Sequence, residues 1–145
     1  MYAELLKSVR AKRSSATFLA VNSGGQQMAQ LMGNAAAGVV MSQVVPYPWS
    51  RATKIQREYQ DDLKRRDPNE PLGFSSMEGY LSAKLLVEAL NRAGEKPTRE
   101  KLRVALQKMG RVDLDGFEVM YSSDRHEGSK FVDITQIQAN GGFLR

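Results

Sequence analysis

Hydrophobic and polar residues follow helical and strand periods in turn over the first third of the chain. An amphipathic stretch over residues 2–12 predicts a helix, and the apolar run over residues 17–21 predicts a short buried strand. A second helix is predicted over residues 26–32, and a second strand follows it. This order of helix, strand, helix and strand predicts a parallel α/β sheet with right-handed crossovers.

The second strand leads into a proline-containing segment, GVVMSQVVPYPW, at residues 38–49. Its valines favour a pleated, buried strand, and Pro46 predicts that this strand stops near Val45. The residue before a proline is restricted to extended geometry, so we expect the chain to run straight here. Such a stiff segment suits a connection between two lobes, and an ordinary loop after the strand is the alternative.

Two helices are predicted next, each from its capping residue and its apolar stripe. Ser50 is expected to cap a helix over residues 51–65. The spacing from Ser75 to Glu78 is that of a capping box, and it is expected to open the longest helix, over residues 76–93. This helix carries more than one apolar stripe, so we expect it to pack against two neighbours.

The last third of the chain predicts one more helix and two strands. Thr98 is expected to cap a helix over residues 99–109, which Gly110 ends. Alternating residues predict strands over 117–121 and 131–138. The apolar members of the second of these strands are expected to be Val132, Ile134 and Ile137.

Composition limits the chemistry that this chain can carry. Its 145 residues contain no cysteine and one histidine, which excludes disulfides and thiolate metal sites and argues against a histidine metal cluster. We therefore expect no metal and no cofactor. The net charge is +5, but the basic residues are interspersed with acidic ones, so no nucleic-acid partner is expected.

Several stretches, taken in order, resemble a known family. They are VVPYPW, EGYLSAKLLVEAL, GFEVMYSSDRHEGS and FVDITQI. The chain resembles the carboxy-terminal part of a periplasmic solute-binding protein of ABC transporters, of the leucine/isoleucine/valine (branched-chain amino acid) receptor family. The resemblance implies an α/β chain that forms part of a two-lobed periplasmic-binding-protein fold with three-layer α/β/α lobes.

The resemblance also implies how the chain is divided between the lobes. Residues 1–45 would end the second lobe, residues 46–130 would form the return segment of the first lobe, and residues 131–145 would hold the final crossing strand to the second lobe. Complete members are more than twice as long, so we expect this chain to be a fragment. The full-length protein would be periplasmic and would carry a signal peptide that this sequence does not show.

The function that the resemblance implies is binding, not catalysis. A complete member captures a small amino acid or an organic or aromatic carboxylate between its lobes and delivers it to the membrane permease of an ABC transporter. A ligand-sensing domain of a receptor or regulator with the same fold is the alternative. We expect the fragment alone to bind solute poorly and to form a homodimer through its open sheet edges.

Candidate ligand contacts lie after the first strand and near the prolines. Asn22, Ser23 and the N–H of Gly24 stand between a strand and a helix, where an open α/β sheet binds ligands, although Asn22 or Ser23 could equally cap the helix. Gln43 could face a ligand or lie on the solvent side of its strand, and Tyr47 could stack on a ligand or pack internally. No acidic residue lies in the loop over residues 22–25, which argues against an α-amino acid and leaves room for another carboxylate.

Overall fold

The computed structural model describes residues 2–21 and 24–145. Two compact units make up the chain: Met1–Val44 together with Val132–Arg145, and Val45–Phe131. We call them unit 1 and unit 2. The assignment of the three predicted segments to lobes of a receptor stays a prediction.

The described residues of unit 1 form two helices, a 3-10 turn and one four-stranded sheet. The helices are α1 and α2, and the strands are β1, β2, β5 and β6 in the order β1-β2-β5-β6 across the sheet. The parallel pair β1–β2 confirms the predicted parallel arrangement for the first part of the chain, and the other two pairs are antiparallel. The bounds are α1 Tyr2–Ala11, β1 Leu19–Ala20, α2 Gly25–Met32, the 3-10 turn Gly33–Ala36, β2 Val40–Gln43, β5 Asp133–Ile137 and β6 Phe143–Leu144.

The register of this sheet separates a buried face from an exposed one. Val40 pairs with Gln136, and Gln136 pairs in turn with Leu144, so these residues form a row on one face. The neighbouring row, which includes Met41 and Thr135, is buried. Helix α2 packs on this buried face, because a Cβ placed on Gly25 would lie 2.7 Å from Sδ of Met41.

The residues predicted as the apolar members of this strand do not share one environment. Ile134 and Val132 are exposed, while Thr135 and Ile137 are buried. Successive side chains of a strand point to opposite faces, so Ile134 and Ile137, three positions apart, cannot share one. Pairing with β2 decides which set is buried.

Unit 2 contains three helices and a two-stranded antiparallel sheet of β3 and β4. Its core is built from all five elements and includes Ile55, Tyr59, Met77 and Val119. Among the described residues, no helix combines the length and the hydrophobicity that crossing a membrane requires. The bounds are α3 Lys54–Arg66, α4 Phe74–Ala93, α5 Arg99–Gln107, β3 Gly110–Asp113 and β4 Glu118–Tyr121.

Two of the three predicted helix starts in unit 2 are wrong. Helix α3 begins after Thr53, not after Ser50, and Oε1 of Gln56 accepts hydrogen bonds from both the N–H and the hydroxyl of Thr53. Helix α4 begins after Gly73, which places Ser75 inside the helix. Thr98 does cap α5, because its hydroxyl oxygen accepts a hydrogen bond from the N–H of Lys101.

Two short strands lie outside the predicted elements. The predicted end of the preceding helix at Gly110 is wrong, because α5 ends at Gln107 and Gly110 is the first residue of β3, which pairs with β4. Strand β6 has two residues and pairs with β5. Strands this short have no readable period of their own, and their hydrogen-bonded partners define them.

Candidate functional site

The candidate site in unit 1 lies where β1 and β2 end. The two strands are parallel, with Ala20 paired to Met41, so their carboxyl ends meet at one edge of the sheet. Strand β5 is antiparallel to β2 and therefore starts at the same edge, where Asp133 pairs with Gln43. Ligands of open α/β sheets bind beyond such carboxyl ends.

Gln43 is the last residue of β2 and is almost completely buried, with 1% of its surface exposed. The alternative prediction, that Gln43 lies on the solvent side of its strand, is therefore wrong. Its Nε2 donates a hydrogen bond of 3.0 Å to the hydroxyl oxygen of Thr135, which is buried as well. Its Oε1 accepts no hydrogen bond from any described residue. A buried amide oxygen left in this state costs free energy, so it is a position where an incoming donor would be stabilised.

Asp133 and Arg145 add a charge pair to this edge that the sequence-based reasoning missed. Nε of Arg145 lies 2.6 Å from Oδ2 of Asp133, whose side chain is only 18% exposed. Asp133 also accepts a hydrogen bond of 2.9 Å from the N–H of Ile134. The charge of the carboxylate is thus offset by Arg145, but its buried Oδ2 accepts no hydrogen bond from any described residue, because the contact with Arg145 lacks hydrogen-bond geometry. The two residues lie far apart from Gln43 in sequence, and only strand pairing brings Asp133 beside it.

The loop between β1 and α2 is described from Gly24 onward. Asn22 and Ser23, two of the predicted contacts, lie outside the described residues. Gly24 stands at the N-cap of α2 in the left-handed conformation, with φ 68°, and no side chain makes a described cap bond there. Its carbonyl oxygen accepts a hydrogen bond of 2.7 Å from the N–H of Met28. The first turn of α2 therefore follows the end of β1, with its positive dipole end at this edge.

Tyr47, the remaining predicted contact, belongs to an aromatic cluster of unit 2. Its ring centroid lies 5.0 Å from that of Trp49 and 6.2 Å from that of Phe74. Its carbonyl oxygen accepts a hydrogen bond of 2.8 Å from Nε2 of Gln56, and burial raises the pKa of its hydroxyl. These contacts favour packing of Tyr47 within its own unit.

Unit 2 also holds a cluster of four charged side chains that joins α3, α4 and the β3–β4 turn. Nζ of Lys84 contacts Glu58 and lies 2.9 Å from Oδ2 of Asp115, and Nζ of Lys54 lies 2.7 Å from Oδ1 of Asp115. Burial alone would lower the pKa of Lys84, but its hydrogen bonds to Glu58 and Asp115 outweigh this and raise it. Next to this cluster, burial and a hydrogen bond to Asp62 raise the pKa of Tyr80 to about 12.

This cluster makes the stability of unit 2 fall with pH in the acid range. Hydrogen bonds from Lys54 and then Lys84 lower the pKa of Asp115 from 3.8 to about 2. Below pH 4 the unfolded chain therefore binds a proton more readily than the folded chain does, so the stabilisation is complete above about pH 4 and is lost as the pH falls towards 2. We expect Asp115→Asn to remove this part of the pH dependence, measured as the urea midpoint of Trp49 fluorescence between pH 5 and 2.

Glu78→Gln is the control, because Glu78 is an exposed carboxylate on α4. The urea midpoint of this variant should change with pH as steeply as that of the unsubstituted chain. An equal acid slope for the unsubstituted chain and Asp115→Asn would contradict the prediction.

A family model described as periplasmic binding protein matches residues 3–142. The chain belongs to the periplasmic binding protein family. The predicted fold class, α/β as part of that two-lobed fold, is confirmed, as is the predicted family. None of the curated proteins compared with the chain matches it.

Solved structures give the same assignment. A possible leucine/isoleucine/valine-binding protein from Rhodopirellula baltica is 30% identical with a TM-score of 0.89, over 99% of this chain and 39% of its own. An extracellular ligand-binding receptor from Verminephrobacter eiseniae is 27% identical with a TM-score of 0.82, over 99% of this chain and 41% of its own. A fatty acid ABC transporter substrate-binding protein from Thermomonospora curvata, 20% identical over 98% of this chain and 38% of its own, shares the fold with a TM-score of 0.80.

The chain therefore spans about two fifths of the length of these proteins. They are named as binding proteins or receptors, and the family indicates a periplasmic or extracellular location.

Proposed function

We propose that this chain is part of the solute-binding component of an ABC importer. Its family, and neighbours named as ligand receptors and ABC transporter substrate-binding proteins, support this proposal. The complete protein would be periplasmic, would bind a small amino acid or an organic or aromatic carboxylate between its lobes, and would deliver it to a membrane permease. It would act by binding alone, without catalysis.

The observation that carries the proposal is the unsatisfied amide oxygen of Gln43 at the carboxyl edge of β1 and β2. This buried side chain is oriented by its hydrogen bond to Thr135, so its Oε1 is held in place before any ligand arrives. A hydroxyl, amide or other donor group of a solute would satisfy it once this edge opens enough to admit the donor, since the oxygen itself is buried. A binding site gains affinity when its polar groups are positioned in advance in this way.

The carboxylate of the solute is assigned to the start of α2. The N–H of Gly24, together with Asn22 and Ser23, would hold it, since orphan N–H groups and the helix dipole favour an anion at a helix N-terminus. Tyr47 stays a separate proposal, as a ring that would contact a solute.

The charges at this edge favour a carboxylate that lacks an ammonium group. The loop over residues 22–25 has no acidic residue, and the carboxylate of Asp133 is matched by Arg145. An ammonium group at this edge would have to share the carboxylate of Asp133 with Arg145, although Oδ2 of Asp133 accepts no hydrogen bond from any described residue. We therefore propose that the solute is an organic or aromatic carboxylate and not a branched-chain amino acid, although the Rhodopirellula baltica protein is named for leucine, isoleucine and valine.

A titration followed by two-dimensional NMR tests this assignment, because it detects binding as weak as millimolar. We expect benzoate or octanoate to shift the amide signals of Gly24 and Gln43 more strongly than L-valine does. Gln43→Met should weaken binding by about tenfold, which corresponds to one lost hydrogen bond of about 1.4 kcal/mol.

Gln30→Met is the matched control, because it makes the same substitution at an exposed position of α2. It should leave the affinity unchanged. If none of the three solutes shifts these signals, or if both variants bind as the unsubstituted chain does, the assignment of the site is wrong. Circular dichroism of each variant checks that the secondary structure is retained.

A further inference from the structure

Two buried acceptor oxygens belong to directly paired residues at the edge where β2 ends. Gln43 pairs with Asp133, the first residue of β5, and both side chains lie on the face of the sheet that buries Met41 and Thr135. Oε1 of Gln43 and Oδ2 of Asp133 accept no hydrogen bond from any described residue. Among the described residues that are not exposed, these are the two buried side-chain atoms left without a hydrogen-bond partner.

The neighbouring side chains do not supply the missing hydrogens. An amide oxygen and a carboxylate are both acceptors, so Oε1 and Oδ2 cannot satisfy each other. Nε2 of Gln43 already donates to the hydroxyl oxygen of Thr135. Nε of Arg145 lies 2.6 Å from Oδ2 of Asp133 and offsets its charge, but this contact lacks hydrogen-bond geometry. The two oxygens together therefore offer a place for a donor group from outside the chain.

A neutral NH2 group matches this pair of acceptors better than other donors do. Side chains of directly opposed residues start from Cβ atoms about 4.5–5.5 Å apart. An NH2 group that makes two hydrogen bonds of about 2.9 Å joins oxygens about 5 Å apart, so one such group can span the pair. A hydroxyl donates one hydrogen and would leave one oxygen unsatisfied. An ammonium group would place a second cation beside Arg145, which already offsets the charge of Asp133.

The position of the pair at the end of the β2–β5 ladder gives it a short path to solvent. Gln43 and Asp133 are the last paired residues of the two strands at this edge. Val44, which follows Gln43, is 41% exposed, and Val132, which precedes Asp133, is 66% exposed. Only this terminal pair has to part to admit a small group, and the ends of an element open at a lower cost than its middle.

We infer that the solute carries a neutral NH2 group, as an arylamine or a primary amide, in addition to its carboxylate. One hydrogen of this group is donated to Oε1 of Gln43 and the other to Oδ2 of Asp133. The inference rests on the proposed function, since it assumes that a carboxylate binds at this edge of unit 1. Asp133 thereby determines specificity, and Arg145 favours a neutral donor over a cationic one.

Four probes that share a ring and a carboxylate test the inference in the same NMR titration. They are 4-aminobenzoate, 4-hydroxybenzoate, 4-methylbenzoate and 4-(aminomethyl)benzoate. We expect 4-aminobenzoate to bind about tenfold more tightly than 4-methylbenzoate, which has the same size but no hydrogen to donate, and 4-hydroxybenzoate to gain about threefold. The ammonium group of 4-(aminomethyl)benzoate should make it bind more weakly than 4-aminobenzoate.

A variant of Asp133 tests which residue produces the preference. In Asp133→Asn the new side-chain amide supplies a donor to Oε1 of Gln43, so the ratio of affinities for the amino and methyl probes should fall to about one. Asp124→Asn is the matched control, because it makes the same substitution at an exposed position in the turn after β4. It should keep the ratio of the unsubstituted chain. Circular dichroism of both variants checks that they are folded.

Several results would overturn the inference while the proposed function stands. The amino and methyl probes could bind equally, which would show that a water molecule, or the amide of Gln43 turned over, satisfies the pair. The ammonium probe could bind most tightly, or Asp133→Asn could keep the preference of the unsubstituted chain. If none of the four probes binds, the proposed function fails and this inference fails with it. Binding of 4-methylbenzoate thus tests the proposed function, and the differences between probes test the inference.

Discussion

Replacing Tyr59 with alanine is expected to lower the free energy of unfolding of unit 2 by about 3–5 kcal/mol. Tyr59 is 1% exposed, and its ring lies 5.6 Å from that of Tyr80 in the packing of α3 against α4. Truncation to alanine leaves a cavity that the surrounding helices fill only in part. Urea unfolding followed by Trp49 fluorescence measures the effect, because the single tryptophan lies in unit 2.

The hydroxyl of Tyr59 accounts for a separable part of this loss. It accepts a hydrogen bond of 3.1 Å from the buried N–H of Gly73 at the start of α4, and it lies 2.6 Å from the hydroxyl of Ser76. Tyr59→Phe should therefore cost about 1–3 kcal/mol, since it leaves a buried donor unsatisfied.

Lys64→Ala, at an exposed position of the same helix, is the control and should change the unfolding free energy by less than about 0.5 kcal/mol. A loss for Tyr59→Ala no larger than that of this control would refute the role of Tyr59 in the core.

Gly116→Ala is expected to destabilise unit 2 by about 2–4 kcal/mol, from backbone strain and overpacking together. Gly116 has φ +105°, which side-chain-bearing residues rarely adopt, and an added Cβ would lie 2.9 Å from Cβ of Thr53. Thr53 is the N-cap of α3, so this contact would displace the start of that helix. The same urea unfolding experiment measures the change.

The same substitution at Gly79 should have the opposite sign. Gly79 lies exposed within α4, and a Cβ placed there meets no atom within 4 Å. Alanine is the better helix former, so Gly79→Ala should stabilise unit 2 by about 0.5–1 kcal/mol. Equal effects at the two positions would show that neither the backbone conformation nor the approach of Thr53 matters.

Helix capping illustrates how local signals can be ambiguous. Ser50 and Thr53 are both acceptable N-caps, and the sequence-based choice of Ser50 was wrong. In the structure the N–H of Ile55 donates a hydrogen bond of 3.0 Å to the carbonyl oxygen of Asp115. A residue sixty positions away thus helps to select Thr53. At Thr98 there is no such competition, and the predicted cap is confirmed.

In the candidate site, too, some residues could be found from local sequence and others only from strand pairing. The loop at residues 22–25 could be found from its position after a strand and before a helix, because β1 and α2 are both local features. Asp133 and Arg145 could not, since they reach this edge only through the antiparallel pairing of β5 with β2 and β6. The burial of Gln43 likewise depends on Thr135, which lies on a strand from the other end of the chain.

The positions of the five helices to within a few residues, the α/β class and the family could be predicted from local patterns, because helical periods and the order of motifs do not depend on distant parts of the chain. Tertiary structure alone decided which face of β5 is buried, that β3 and β6 exist, and that Gln43 lies inside. A strand of five residues with apolar side chains on both faces carries no local preference, so the partner strands and the helix packed on one side determine which face leaves water.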